Sequence, residues 1–360
     1  MNGPSDPQST TRLRYCSQPA QREREFPPEV SAGRASSIIN AGKKFVAGTD
    51  LSYYCYAAGD GSPKRWHGKA EDVAAVHAAF KEWHAQGIGI TFHPVQRPAD
   101  ANLRIGFDPE DGSWSYVGRD SLGIRDPGER TMNFGWPLTT PHGRDTALHE
   151  IGHALGLEHE HQNPFAGIVW DEDAVRRYFR GEPNRWNDDA IHRNILSKIA
   201  TSAVKGTTWD PDSVMEYEFE PRLIKEPTRF FETGLKPKGG LSEFDKTWIR
   251  ESYPPLPERL PQLEPAVSHK LGLTRGETRV FEFRPQRTRT YRIGTFGVSD
   301  TVLVLFEVTP DGNVQIGGDD DGGEDRNALI TTRLSAGRSY EIGLRLFHAD
   351  LPAETSIMVW

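Results

Sequence analysis

The chain runs to 360 residues, 36% of them hydrophobic and 26% charged, with a formal net charge of −8. That is long enough for one large or two modest domains, and the composition is that of a globular protein. The acidic balance excludes a general nucleic-acid binder, which needs a basic face, and no stretch approaches the ~18 apolar residues of a membrane span.

Residues 1–42 are rich in Pro, Ser, Gln, Arg and Glu without sustained periodicity, and read as a flexible N-terminal arm or a pro-segment. Their start, MNGPSDPQSTTRLRYC, is polar and lacks the apolar core of a secretory signal. The 2 cysteines, Cys16 and Cys55, are too few for a disulfide framework. Both are expected to be idle thiols. The alternative for Cys16 is a cap on a metal site, in which case trimming the arm raises activity.

Leu51, Tyr53, Cys55 and Ala57 alternate with Ser52, Tyr54 and Tyr56, the period of a strand. Residues 69–86 place Val73, Val76, Phe80 and Trp83 at helical spacing. His77 and His84 ride on that helix and read as polar decoration rather than a second metal site. Residues 88–92 and 103–107 read as two more strands, and the loop 108–118, DPEDGSWSYVG, leads into another at 114–117. With a further short strand at Met132-Asn133-Phe134, the pattern predicts an α+β unit on a mixed sheet.

The next helix begins in the region of Gly143 to Asp145, with Asp145 expected in its first turn, where the helix dipole favours a negative charge. Ala147, Leu148, Ile151, Ala154 and Leu155 supply its buried surface. It carries the run His149 to His161, HEIGHALGLEHEH. His149 and His153, four apart, share one helix face about 6 Å apart along the axis, so both imidazoles can point at one metal ion. His159 comes six residues further on, and reaches the same ion only if the helix stops and the chain swings back. Gly156 sits where that break is needed, because glycine accepts the left-handed conformation that ends helices. Three neutral imidazoles with one position left to water make an open, catalytic zinc site. Glu150, beside the first ligand, is the natural base for that water.

Residues 171–180 and 187–200 follow as amphipathic helices, the second with the stripe Ile191, Ile195, Leu196 and Ile199 and an exposed His192. Residues 241–253 form a third, with Ser242 as N-cap. A Pro-rich linker, 255–268, then separates a first domain, 43–254, from a second, 269–360. Repeated short alternating runs separated by Gly- and Asp-rich turns make that second domain a small β-sandwich. Its acidic run, Asp319 to Asp325, is either a solvated turn, the favoured reading, or a calcium site.

The five fixed positions of H-E-x-x-H-x-x-G-x-x-H resemble the motif of the metzincin zinc endopeptidases. Metzincins carry a methionine turn beneath the metal, and Ser213-Val214-Met215-Glu216-Tyr217 is similar to it, about 56 residues past His159. Tyr217, two places after Met215, and Glu160, directly after His159, narrow the resemblance to the astacin-like group over roughly residues 43–253. It implies one catalytic zinc on His149, His153 and His159, with Glu150 as general base. Tyr217 would reach the metal and move aside to stabilise the transition state. Met215 would form the floor, and Gly156 and Glu160 would give structural support. It also implies a metzincin-type domain cleaving internal peptide bonds of proteins held extended and antiparallel to an edge strand, for which residues 112–118 are the candidate. Gln162-Asn163-Pro164 and Glu216 depart from animal astacins, and paired disulfides cannot form, so the pattern is closer to a microbial branch. The C-terminal part resembles the pre-peptidase C-terminal sandwich of bacterial secreted proteases. The family resemblance implies secretion, against the lack of a visible signal. The alternative function is a catalytically silent, zinc-containing peptide-binding or adhesion protein, and Glu150 beside three intact ligands argues against it.

Overall fold

A computed structural model of the chain describes residues 14–19, 43–199, 208–257, 259–274, 277–309, 312–347 and 353–360. The remainder of the predicted arm and the last residue of the predicted helix 187–200 lie outside the described residues.

Strand β1 (Asp50–Cys55) is buried along its centre because it lies between two parallel neighbours and is covered on both faces. Helix α1 (Ala70–His84) covers one of them, burying Val76, Phe80 and Trp83 of the predicted stripe together with Ala79, while Val73 is half-buried. Of its two histidines, His77 Nδ1 shares a hydrogen bond with Tyr53 Oη (2.6 Å) and His84 Nδ1 donates to the Ile90 carbonyl (3.1 Å). Strands β2 (Thr91–Pro94), β3 (Leu103–Gly106), β4 (Trp114–Ser115) and β5 (Met132–Asn133) complete a mixed sheet in the order β2-β1-β3-β5-β4. Only β4 runs antiparallel, and it forms the edge of the sheet.

Helix α2 (Pro141–Ala154) lies against α1, locked to it by Trp83 Nε1, which donates to the Leu148 carbonyl (3.0 Å). It starts earlier than the sequence suggests. Thr140 is the N-cap, accepting from Gly143 N (3.0 Å), and Pro141 opens the first turn. Asp145 therefore falls in the second turn, where it accepts from Gly240 N (2.8 Å) instead of serving the dipole.

Below α2, strand β6 (Val169–Trp170) precedes α3 (Glu172–Arg180) and α4 (Asp188–Ile191). The single amphipathic helix expected over 187–200 is instead α4 followed by a π turn, His192–Leu196. The expected stripe survives in Ile191 and Ile195, both fully buried. Strand β7 (Ile224–Glu226) pairs with β6, and α5 (Arg229–Thr233) leads to α6 (Glu243–Ser252). Ser242 caps α6 as predicted, in a reciprocal capping box with Asp245.

The C-terminal part is a sandwich of two antiparallel four-stranded sheets built from β8 (His269–Leu273), β9 (Thr278–Phe283), β10 (Arg289–Phe296), β11 (Thr301–Thr309), β12 (Gly312–Asp319), β13 (Leu329–Leu334), β14 (Ser339–Leu346) and β15 (Ala353–Val359). The sheet orders are β13-β10-β15-β8 and β12-β11-β14-β9. The Pro-rich stretch is not a free tether throughout. Leu263 is buried in the sandwich core, and Leu263 N and Glu282 N exchange hydrogen bonds with Glu282 O and Pro261 O (both 2.9 Å). The acidic run is a turn in which one Asp319 carboxylate oxygen accepts from Gly322 N (2.7 Å) and Leu329 N (2.8 Å). No described helix is long and apolar enough to cross a membrane.

Candidate active site

The end of α2 decides whether three histidines can meet. Gly156, at φ +90°, takes the left-handed position that the spacing demanded. Leu157 N reaches back to Gly152 O (3.0 Å) and Gly156 N to His153 O (2.8 Å), the paired bonds of a Schellman stop. The chain then turns so that His159 Nε2 comes to 3.1 Å from His153 Nε2.

Each ring is oriented from behind. Val214 O lies 2.8 Å from His149 Nδ1 and Leu157 O 2.7 Å from His153 Nδ1, and Gln162 Oε1 lies 3.2 Å from His159 Nδ1. Oxygen acceptors at every Nδ1 put the proton there and leave the Nε2 lone pairs converging. Burial, and then the neighbouring imidazoles, hold His149 and His159 well below the usual histidine range, and burial pushes His153 down to about 4. The rings are therefore neutral and ready to coordinate.

Two acceptor lone pairs facing each other at 3.1 Å repel unless a cation lies between them. The spacing is close to the ~3.3 Å edge of a tetrahedron with zinc–nitrogen bonds of about 2.0–2.1 Å. His149 Nε2 is buried without a hydrogen-bond partner among the described residues, as a ligand atom would be. The donor set fits zinc.

Glu150 is fully buried next to these rings. Its Oε1 has no partner among the described residues, and burial pushes its carboxyl up to about 8. Met215 lies beneath. A Cβ on Gly152 would meet its sulfur at 2.5 Å, so the residue between Ile151 and His153 must be glycine for the methionine to approach. The Met215 turn hangs on α6: Asp245 accepts from Ser213 Oγ (2.6 Å) and Val214 N (2.8 Å). Glu160 N donates to Met215 O (3.0 Å), and the Glu160 carboxylate accepts from Asp210 N and Asn163 Nδ2 (3.1 Å each). Tyr217 Oη lies 2.8 Å from His159 Nε2.

The arm enters this site. Cys16 is buried, and its sulfur joins the nitrogens of His149, His153 and His159 in one group whose ligand atoms all lie within 4.8 Å of one another. The idle-thiol expectation for Cys16 is thus corrected. Its thiol points at Glu150 Oε2 (3.5 Å), and its carbonyl accepts from Tyr217 Oη (2.7 Å). Next to it, Ser17 N donates to Ser113 O (2.9 Å), extending the sheet past β4 with the arm in parallel sense. Cys55, half-buried in β1, has its thiol pushed up to about 12 by burial and stays apart from the site.

The family model of astacin, a peptidase family, matches residues 66–223, the span that holds all three histidines, Met215 and Tyr217. A solved structure of myroilysin is 30% identical over 59% of this chain and 96% of that one, with a TM-score of 0.51. The chain belongs to the astacin family. It is a zinc metalloendopeptidase, and its buried histidine cluster is the metal-binding group. A high choriolytic hatching enzyme, a zinc protease of the medaka fish Oryzias latipes, matches at 18% identity over 58% of this chain and 91% of that one (TM-score 0.36). The pre-peptidase C-terminal domain of a Bacillus anthracis collagenase matches at 13% identity over 29% of this chain and 98% of that one (TM-score 0.25). No curated protein matches by sequence.

Within this astacin domain, Gln162 and Glu216 each take up specific work. Gln162 accepts from the third histidine and donates through Nε2 to Arg193 O (2.8 Å) and Ser197 Oγ (2.8 Å). Glu216 is buried, accepting from Trp209 Nε1 (2.8 Å) and Tyr217 N (2.9 Å), with His161 Nδ1 at 3.5 Å. Asn194, on the π turn, is fully buried; its side chain accepts from Gln18 N (2.9 Å) and its carbonyl lies 2.8 Å from His161 Nε2. Sequence reasoning missed Asn194, Gln162 as an orienting group, and Gly152. Only Gly152 left a readable trace, as a glycine inside a helix that glycine weakens.

Proposed function

We propose that this astacin-family enzyme is a latent endopeptidase in which His149, His153 and His159 hold the catalytic zinc, Glu150 is the general base, Tyr217 is the oxyanion donor, and Cys16 keeps the site closed. The observation that carries the reading is the four-residue cluster itself: three converging imidazoles with a thiol where a catalytic zinc site keeps its open position. Zinc bound there supplies Lewis-acid polarisation of the scissile carbonyl and of the attacking water.

Everything else is the work of the chain. Glu150, desolvated and with Oε1 unpartnered, takes the proton of the attacking water and returns it to the leaving amine. Tyr217 already donates to a peptide carbonyl in the cleft, that of Cys16, at 2.7 Å. Aimed at a developing oxyanion instead, such a donor contributes roughly 3–4 kcal/mol. Edge strand β4 offers its backbone to an extended peptide, which asks little of substrate sequence. A substrate antiparallel to β4 runs opposite to the arm, so the two compete for one groove while presenting their peptide bonds in opposite sense.

The test is substitution of the base. Glu150→Gln is expected to retain one zinc per chain and lose nearly all casein cleavage, and His153→Ala to lose the zinc as well. Undiminished casein cleavage by the zinc-loaded Glu150→Gln protein would overturn the reading.

A further inference from the structure

We propose that the aromatic recess now filled by Tyr15 is a substrate subsite, selecting an aromatic side chain next to the scissile bond; this rests on the endopeptidase reading above and on the arm vacating the cleft. Residues 15–18 occupy the groove as a peptide ligand. Tyr15 N donates to Asn184 Oδ1 (3.2 Å), the Cys16 carbonyl accepts from Tyr217, and Ser17 pairs with the sheet edge. The side chains of such a ligand report which pockets the groove contains.

Tyr15 is 6% exposed. Its ring meets Phe179 edge-on at 4.9 Å between centroids, with Tyr217 at 5.3 Å and Phe219 at 6.3 Å, all within the range where aromatic pairs attract. At the depth of the phenol, Tyr15 Oη donates to the Glu218 carbonyl (2.8 Å). The walls hold one another without help from the arm: Trp186 stacks on Phe179 at 5.0 Å, Tyr178 meets Phe179 at 5.1 Å, and Phe219 meets Tyr217 at 5.9 Å. The recess is therefore built by the folded domain and only filled by the arm.

Its place fixes its role. Tyr15 is the immediate neighbour of Cys16, whose sulfur points at Glu150, so the recess flanks the reacting position by one residue. Side chains stand roughly perpendicular to an extended backbone, so a substrate running opposite to the arm can still present one to it. Tyrosine or phenylalanine fills the ring-lined space. Leucine loses the aromatic contacts, and aspartate would bring a charge into a buried site beside a carbonyl oxygen.

The test uses full-length, zinc-loaded Tyr15→Ala/Cys16→Ala protein, in which both anchors of the arm are removed. Casein cleavage is assayed first. Then kcat/KM is measured by mass spectrometry on matched peptides carrying Tyr, Phe, Leu, Asp or Lys at the positions flanking the cut. The expected result is a preference of about tenfold or more for Tyr and Phe over Leu and Asp at one flanking position. Trp186→Ala in the same background is expected to reduce it to less than about threefold. Casein cleavage with no aromatic preference at either position overturns the proposal and leaves the endopeptidase reading standing. A zinc-loaded protein that cleaves neither casein nor any peptide overturns that reading, and the subsite with it.

Discussion

Cys16 and Glu150 cannot both act at once. The thiol lies 3.5 Å from Glu150 Oε2, in the space that the water destined for that carboxylate must occupy. The same residue engages Tyr217 through its carbonyl, so one residue of the arm meets the proposed base and the proposed oxyanion donor while its sulfur stands within 4.8 Å of the three histidine nitrogens. Removing the sulfur should open the balance between blocked and free cleft. Full-length Cys16→Ala protein, loaded with zinc, is expected to cleave casein at least about tenfold faster than the unaltered chain, a shift of ~1.4 kcal/mol in that balance. Equal rates for the two proteins at equal zinc content would show that the arm does not restrain activity. The convergence of the candidate ligands beside Glu150 was legible in the sequence because four-residue spacing on a helix fixes relative position locally. The closing of the site was not. Cys16 precedes Glu150 by 134 residues, and a single cysteine in a polar arm has no local pattern that names its partner.

Two elements hold the ligands in register, and each fails differently. The stop at the end of α2 depends on Gly156, whose φ of +90° is open to glycine and strained for other residues. A Cβ there meets nothing closer than Lys44 Cγ at 3.5 Å, so the penalty is one of backbone rather than crowding. Gly156→Ala is expected to cost about 1–2 kcal/mol and to displace His159, which competition with a chelator will register as weaker zinc retention. Unchanged retention would mean that His159 does not depend on this turn. The turn beneath the metal depends instead on Asp245, which is nearly fully buried and serves Ser213, Val214 and its own N-cap Ser242 at once. Asp245→Ala leaves those donors without an acceptor, an expected loss of about 3 kcal/mol. That corresponds to a melting temperature lower by roughly 6–12 °C. A thermal melt within about 2 °C of the parent would rule out this support. The N-cap was legible in Ser242, but its reciprocal partner Asp245 was not read there. That the Asp245 carboxylate also carries the Met215 turn left no trace either, because the contact spans about 30 residues with no shared period.

At the scale of the molecule, a short strap joins the site to the sandwich. Lys43 Nζ pairs with Glu158 (2.9 Å), between Leu157 and His159, while its carbonyl accepts from Arg119 N (2.7 Å). Three residues on, Val46 is buried among Val302, Val304, Phe306 and Phe347. Strand β11 makes this contact possible by alternation. Leu303 and Leu305 face the sandwich core, and Val302, Val304 and Phe306, alternating with them, face Val46. Gly343 lets the approach happen, since a Cβ there would lie 2.4 Å from a methyl carbon of Val46. The alternating runs were visible in the sequence, but an apolar residue on both faces of β11 reads there only as a buried strand. Which surface buries its second face is a tertiary fact. The strap is expected to help make the two parts one cooperative body, and Val46→Asp tests that by placing an unpaired charge in an apolar contact, at an expected cost of about 3 kcal/mol. Calorimetry is expected to show one unfolding transition for the parent and two for the variant, one for each part, with zinc content unchanged because no proposed ligand is touched. If the Val46→Asp protein still unfolds in one transition at the parent's temperature, the sandwich is held by other contacts and the strap is only a passage between domains.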